Sequence, residues 1–502
     1  MTWSKRARRL TYLVHRWTGV AACVLMALWF VSGVVMLFVG YPKLTPWERM
    51  QALPPLDAGT CCVPVDAALA PGRAHGAAQE VVLGTVGGRA RYIVRGKGGG
   101  YAVADAVDGT PAPPVDAAAA TRAARAFVPG AAASYLGQVR EDRWTHSRGL
   151  DAHRPLHEVQ MHDAARTLLY VSSTTGQVVM DAPRAQRLWN YVGAWLHWLY
   201  MFRDRSVDAT WSWIVIVLSA VCVVTSVTGT VAGIWRWRFS GRYKSGSRSP
   251  YRDFHLHWHH VLGLVFASIV FTWIFSGLMS MNPLGVFDAK GARPNVAAYR
   301  GGSPQETRLA LPVPKLLALL QAAHFQASEL EWRVLGGRPF VLARNAANDT
   351  RLVVQEGSDY RVLMQWPDAE LLRAGQRLMS APMVSHEQLD QYDLHYYGRQ
   401  PEAMMGAAER RLPVWRIRFG DAQDTWVYLD PHTGDIAVSA DRAQRRGRWL
   451  FSFLHSWDLQ SMLRWASARD AVLILLSVGG LLVSLTGIVI GYRRLRTRLA
   501  QA

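Results

Sequence analysis

The chain has little cysteine, few acidic residues and, in four long runs, no charge at all. Four cysteines stand among 502 residues, none in a CxxC spacing. That excludes a disulfide framework and a dithiol redox motif. Cys23 and Cys222 lie in apolar runs, and Cys61 and Cys62 are adjacent. Adjacent cysteines are poorly placed to bridge each other. No GxGxxG stretch marks a dinucleotide fold. Asp and Glu number 37 against 56 Lys and Arg, a net charge of +19. Such a surplus can mean nucleic acid, but its placement argues otherwise. The cations cluster beside the charge-free runs, which makes them topology signals, and no nucleic-acid partner is expected.

Those runs are Trp17–Pro42, Ala209–Trp235, Phe254–Phe287 and Ala471–Tyr492. Each holds the ~20 residues that cross a bilayer core as helix. Lys5, Arg6, Arg8 and Arg9 precede the first run. Arg236, Arg238, Arg242, Lys244, Arg248 and Arg252 separate the second from the third, and Arg493, Arg494, Arg496 and Arg498 follow the fourth. The positive-inside rule makes these segments cytoplasmic and the two long polar segments external. The expected organisation is a cytoplasmic N-terminus 1–16, spans at 17–40, 209–235, 255–282 and 470–492, and a basic loop at 236–254. External domains occupy 41–185 and 283–445, interfacial helices 186–208 and 446–469, and a cytoplasmic tail 493–502. The Val20-Ala21-Ala22-Cys23 stretch faintly resembles a lipoprotein cleavage box, but the apolar run continues past it, so a retained span is expected.

The order span, domain, span occurs twice. A shift of 258 residues places Tyr170 on Tyr428, Gly176 on Gly434, His197 on His455 and Thr228-Gly229 on Thr486-Gly487. The same shift superposes Arg184-Ala185-Gln186-Arg187 on Arg442-Ala443-Gln444-Arg445. At a shift of 244, His15 falls on His259, Gly19 on Gly263, Trp29 on Trp273 and Ser32-Gly33 on Ser276-Gly277. The chain therefore reads as an internal duplication with parallel halves. Both external domains read as α+β. In the first, alternation predicts a helix at Val65–Ala70, strands at Val81–Gly84, Ala90–Arg95, Tyr101–Ala106 and Leu168–Ser172, and a helix over Asp116–Phe127. The second repeats the scheme with helices at Leu316–Ala323 and Asp368–Met379 and strands at Val414–Phe419 and Thr425–Asp430.

The duplication filters the 16 histidines. Two symmetric pairs remain: His15 with His259 at the cytoplasmic ends of spans, and His197 with His455 at the external ends. Ionisable residues at membrane depth mark function more often than packing. Two facing imidazoles suit haem iron, whereas structural zinc wants four ligands. Four histidines crowd the start of the third span, so His257 and His260 stand as alternatives to His259. Glycines support a flat ligand. Gly19 and Gly263 lie one turn after His15 and His259. Gly229 and Gly487 belong to the same layer, and Gly33 and Gly277 to the layer of His197 and His455. Close helix packing is the ordinary reason for glycine in spans, but here each glycine matches a histidine layer. Seventeen residues of helix separate the layers by on the order of 25 Å, which spans the hydrocarbon core.

Several stretches resemble the PepSY-associated transmembrane family. They are His15-Arg16-Trp17-Thr18-Gly19, Leu28-Trp29-Phe30-Val31-Ser32-Gly33, Arg411-Leu412-Pro413-Val414-Trp415-Arg416, Val427 to Gly434, Leu454-His455-Ser456 and Leu485-Thr486-Gly487. The resemblance implies a bacterial inner-membrane protein with two periplasmic PepSY-like domains, two b-type haems and a role in iron uptake. The fold class expected is a bundle of four transmembrane helices with two α+β PepSY-like periplasmic domains, internally duplicated. Some relatives carry a fused flavin reductase domain. Here the sequence stops ten residues after Tyr492, so a separate cytoplasmic flavin reductase or a membrane quinol is the expected donor.

The function expected is transmembrane electron transfer that reduces a ferric siderophore or related chelate at the periplasmic face. Ferrous iron fits hard oxygen donors less well, so one electron releases the metal. Tyr396, Tyr397, Arg399, Arg410 and Arg411 are the candidates for contact with an anionic chelate. The rival readings are a non-enzymatic PepSY protein that regulates a peptidase or assists assembly, and a haem carrier serving a quinol or protein partner.

Overall fold

The computed structural model describes residues 3–59, 61–69, 78–205, 207–304, 306–404, 406 and 408–501. The chain divides into two compact units. One holds Met1–Gly40, Leu188–Asp288 and Ala443–Ala502; the other holds Tyr41–Arg187 and Ala289–Arg442.

The first unit is helical. Three helices are long and apolar enough to cross a membrane: Lys5–Phe38, Ala209–Arg236 and Ala466–Leu499. The first and last run on into their basic flanks, because Arg and Lys are good helix formers and nothing there breaks the backbone pattern. The third expected span is instead a pair, Phe254–Val265 and Ala267–Ser280, bent by 69°. The bend falls at Phe266, whose ring lies against Gly479, where a side chain on the fourth span would collide with it. Asp253 caps the start of the pair by accepting from Leu256 N at 3.0 Å, and Asp208 caps the second span through Trp211 N. The first span packs on the second and fourth, and the bent pair packs on the same two. Their shared core includes Ala22, Met26, Phe30, Cys222, Val270 and Trp273. Outward faces stay apolar. Exposed tryptophans stand at both ends, Trp17, Trp235 and Trp258 at one and Trp189, Trp213, Trp449 and Trp465 at the other. Two such girdles mark bilayer interfaces.

The second unit is α+β. Its strands are β1 (Ala78–Val86), β2 (Arg89–Gly96), β3 (Tyr101–Asp105), β4 (Ala133–Val139), β5 (Leu156–Met161), β6 (Leu168–Ser172), β7 (Val178–Ala182), β8 (Glu329–Leu335), β9 (Arg338–Arg344), β10 (Thr350–Glu356), β11 (Asp359–Leu363), β12 (Met383–Leu389), β13 (Val414–Phe419), β14 (Trp426–Asp430) and β15 (Asp435–Ala440). Two antiparallel meanders, β4-β5-β6-β7 and β12-β13-β14-β15, have the same order. A helix packs on each, Ala117–Phe127 on the first and Asp368–Gly375 on the second. Asp116 caps the former by accepting from Ala119 N at 2.7 Å. The expected helix at Val65 covers Val65–Ala68; Ala70 lies outside the described residues.

The two extramembrane α+β domains are joined through one sheet. β1-β2-β3 and β8-β9-β10-β11 form a single seven-stranded sheet through antiparallel pairing of β1 with β8, Val81 opposite Trp332. One hydrophobic core runs across the seam, from Val81, Leu83 and Tyr92 to Leu330, Trp332 and Val341. Arg49 reaches over it to Glu329 in a two-pronged ion pair of 2.6 and 2.8 Å. Burial alone would raise the Glu329 carboxyl, but the Arg49 guanidinium, with Arg344 and Arg333 beside it, holds the group below its ordinary value. The sulfurs of the adjacent Cys61 and Cys62 lie against each other.

Candidate cofactor site

The bundle brings the four filtered histidines together as two facing pairs. His15 and His259 have ring centres 6.2 Å apart, at the end carrying both chain termini. His197 and His455 have ring centres 6.1 Å apart, at the opposite end. Two imidazoles bound on opposite sides of one metal, each at about 2 Å, place their ring centres about 6 Å apart. Both pairs have that separation.

One ring nitrogen is engaged in every case. His15 Nδ1 donates to Thr225 O at 3.0 Å, and His259 Nδ1 donates to Val483 O at 3.1 Å. Thr486 Oγ1 stands 3.1 Å from the same His259 nitrogen. His197 Nδ1 lies 2.9 Å from Ser32 Oγ, and His455 Nδ1 lies 3.0 Å from Ser276 Oγ. A histidine that ligates a metal through one nitrogen ordinarily gives its other N–H to such an acceptor. With Nδ1 engaged in this way, Nε2 is the nitrogen that would serve a ligand.

The glycines fall where the two layers need them. A Cβ on Gly229 would stand 2.5 Å from His15 Cε1, and one on Gly487 would stand 3.3 Å from His259 Cε1. Gly33 and Gly277 each lie against the Cε1 of their own histidine, His197 and His455, with 3.7 Å for an added Cβ. Gly229, Gly33 and Gly277 therefore seat imidazole rings directly, whereas Gly487 lies closest to Cys23 Sγ, with the His259 ring behind it. Gly263 faces open space. With Gly19, Gly229, Gly487, His15 and His259 it lines a cavity of about 880 Å³. Cofactor sites are commonly about 300–1,000 Å³. Arg8, Arg9, Arg16, Arg236 and Arg494 also line it, a setting for carboxylates.

The alternative ligands are held elsewhere. His260 Nδ1 meets Ser249 Oγ at 2.8 Å and its Nε2 donates to Gly233 O at 2.9 Å, so both nitrogens are occupied. His257 Nδ1 donates to Tyr251 O at 3.3 Å. Only His259 of the crowded four stands across from His15. Among the described residues, no group of three or more His, Cys, Asp or Glu side chains is placed to hold a metal ion. An iron carried in a macrocycle needs only two protein ligands, and two is what each layer offers.

The profile of the PepSY-associated TM region matches residues 12–379. The chain belongs to this family. The match to the PepSY-associated TM region includes His15, His197 and His259 and stops short of His455. No curated protein matches the chain.

The chelate-contact candidates are not presented as a group. Tyr396 is fully buried and stacks on Tyr428, ring centres 5.2 Å apart, with its hydroxyl donating to Arg411 O at 2.7 Å. It serves the core of the second meander, because a phenol with a satisfied hydroxyl packs well inside. Arg411 is held by Thr350 Oγ1, Asn348 O and Glu409. The Arg410 guanidinium lies over the Tyr396 ring, 5.6 Å from its centre. Tyr397 and Arg399 remain partly exposed in the same loop. Ser32 and Ser276 also have a clear place in the site, as polar partners that spacing alone does not point to. Spacing marks them only as residues that precede a layer glycine at the same offset from a histidine.

Proposed function

We propose that this chain is a di-haem electron conduit of a bacterial inner membrane, delivering electrons to a ferric chelate such as a siderophore. The observation that carries the proposal is the pairing of four histidines in two layers. Each has Nδ1 engaged, and the ring centres of each pair lie about 6 Å apart, a separation at which both imidazoles would reach one metal held between them. Haem of the b type supplies reversible one-electron chemistry at its iron when bound. His15 and His259 would ligate one such group and His197 and His455 the other. Gly263 and Gly19 leave room beside the first pair, and the arginines at its mouth offer partners for carboxylates.

We further read the chain as an internal duplication, on three correspondences. The meanders share one order. Tyr170 donates to Asp142 as Tyr428 does to Asp393. Leu199 and Trp457, each two residues after a layer histidine, are both left-handed, with φ 54° and 52°. The basic flanks support a reading with cytoplasmic termini and a periplasmic α+β unit carrying the PepSY-like domains. The donor is then a cytoplasmic flavin reductase or a membrane quinol, and Arg399 and Tyr397 remain the exposed candidates for meeting an anionic acceptor.

The test is an absorbance spectrum of the purified protein before and after dithionite, with haem quantified per chain. Split α and β bands and two haems are expected. His455→Ala should retain one haem and lose chelate reduction. A featureless visible spectrum from protein supplied with haem during expression ends the conduit reading and leaves a PepSY protein without redox function.

A further inference from the structure

The two histidine layers differ in what receives the Nδ1 proton. At the terminal end a backbone carbonyl serves each ring, Thr225 for His15 and Val483 for His259, with the Thr486 hydroxyl equally near His259. At the opposite end it is a serine hydroxyl, Ser32 for His197 and Ser276 for His455. Both serines are 0% exposed. Each hydroxyl gives its own proton back to its helix, Ser32 to Leu28 O at 2.7 Å and Ser276 to Trp273 O at 3.0 Å. It can then only accept from the imidazole. That places the proton on Nδ1 and leaves Nε2 as the nitrogen with a lone pair.

Serines in apolar helices bond back to a preceding carbonyl as a matter of course. That habit alone does not bring a ring from a different segment onto the hydroxyl, and here it happens twice, in both halves. The strength of the acceptor matters as well as its presence. Drawing the Nδ1 proton makes a ligating imidazole more basic, and a more basic ligand favours the oxidised metal.

Resting on the haem reading above, we propose that Ser32 and Ser276 are positioning residues. They fix the tautomer of His197 and His455 and set the reduction potential of the iron held there, without acting on the other layer. The two serines are not equivalent. His455 Nδ1 also meets Trp273 O at 3.2 Å, so it keeps an acceptor when Ser276 is removed. His197 depends on Ser32.

The experiment is an optical redox titration of the full-length protein in detergent, with haem counted per chain, for wild type, Ser32→Ala, Ser276→Ala and Thr486→Val. His455→Ala identifies which wave belongs to which layer, since it leaves only the His15 and His259 centre. Ser32→Ala is expected to keep two haems and to move the His197 and His455 wave to more positive potential. The shift should be about tenfold in the reduction equilibrium, or about 59 mV for one electron. Ser276→Ala should move the same wave in the same direction by less. Thr486→Val should leave it in place, because Thr486 meets His259. Two bound haems with an unmoved wave in Ser32→Ala overturn the proposal. Should Ser32→Ala lose the centre outright, Ser276→Ala carries the test, and an unmoved wave there overturns it. A wild type that binds no haem refutes the functional reading itself, a result distinct from all of these.

Discussion

Gly229→Ala tests the cofactor site with a single methyl group. The added Cβ would stand 2.5 Å from His15 Cε1 and 2.8 Å from Nδ1, where 3.4–4 Å is ordinary contact. The ring must retreat by about 1 Å, and overpacking of that kind costs about 1–3 kcal/mol. Retreat also strains the 3.0 Å bond from Nδ1 to Thr225 O, adding about 1 kcal/mol. Gly33→Ala and Gly277→Ala are the matched controls, since their Cβ atoms would meet His197 and His455 at 3.7 Å. Haem per chain, measured as the pyridine haemochrome, should fall from two toward one in Gly229→Ala and stay at two in the controls. Equal losses in all three, or none in Gly229→Ala, would show that ring seating does not govern cofactor retention.

Other outcomes follow from the α+β unit. Glu329→Gln leaves the Arg49 guanidinium without its anion at the seam, and losing one partner of a buried pair costs about 3 kcal/mol. The unit's thermal transition should drop while haem content holds. Burial, with the Glu48 carboxylate beside it, pushes the Asp181 carboxyl up to about 7. A raised carboxyl binds more protons folded than unfolded between about pH 4 and pH 7. Stability of this unit should therefore decline as pH rises through that window, and Asp181→Asn should flatten the decline. A midpoint equally steep in wild type and variant would assign the pH dependence to other groups.

Much of the bundle was legible because membrane spans announce themselves by length and missing charge. The histidine pairs emerged because two offsets filtered them. In the sequence all six layer glycines look like clearance for a flat group, yet Gly229, Gly33 and Gly277 lie against the imidazoles themselves; only ring orientation, which no spacing encodes, shows that. The bend at Phe266 carries no proline to betray it, and its seat, Gly479, is distant in sequence. The shared sheet escaped for a similar reason. β1 and β8 look like any half-buried strands, and their pairing is set by edges that only the folded chain brings together. Tyr396 misled because an aromatic among arginines reads as a binding surface, whereas its ring is stacked inside on Tyr428.

The seam between β1 and β8 has a consequence for synthesis. The first half emerges with β1-β2-β3 able to pair among themselves, but the outer edge of β1 waits for a strand encoded far downstream, Val81 for Trp332. At about 5–20 residues per second, that edge stays open for on the order of tens of seconds while two more spans are inserted. An unpaired edge invites foreign strands. A ribosome stalled in the third span would leave a half-protein with a sticky flank, because the sheet begun by β1-β2-β3 is completed only by β8.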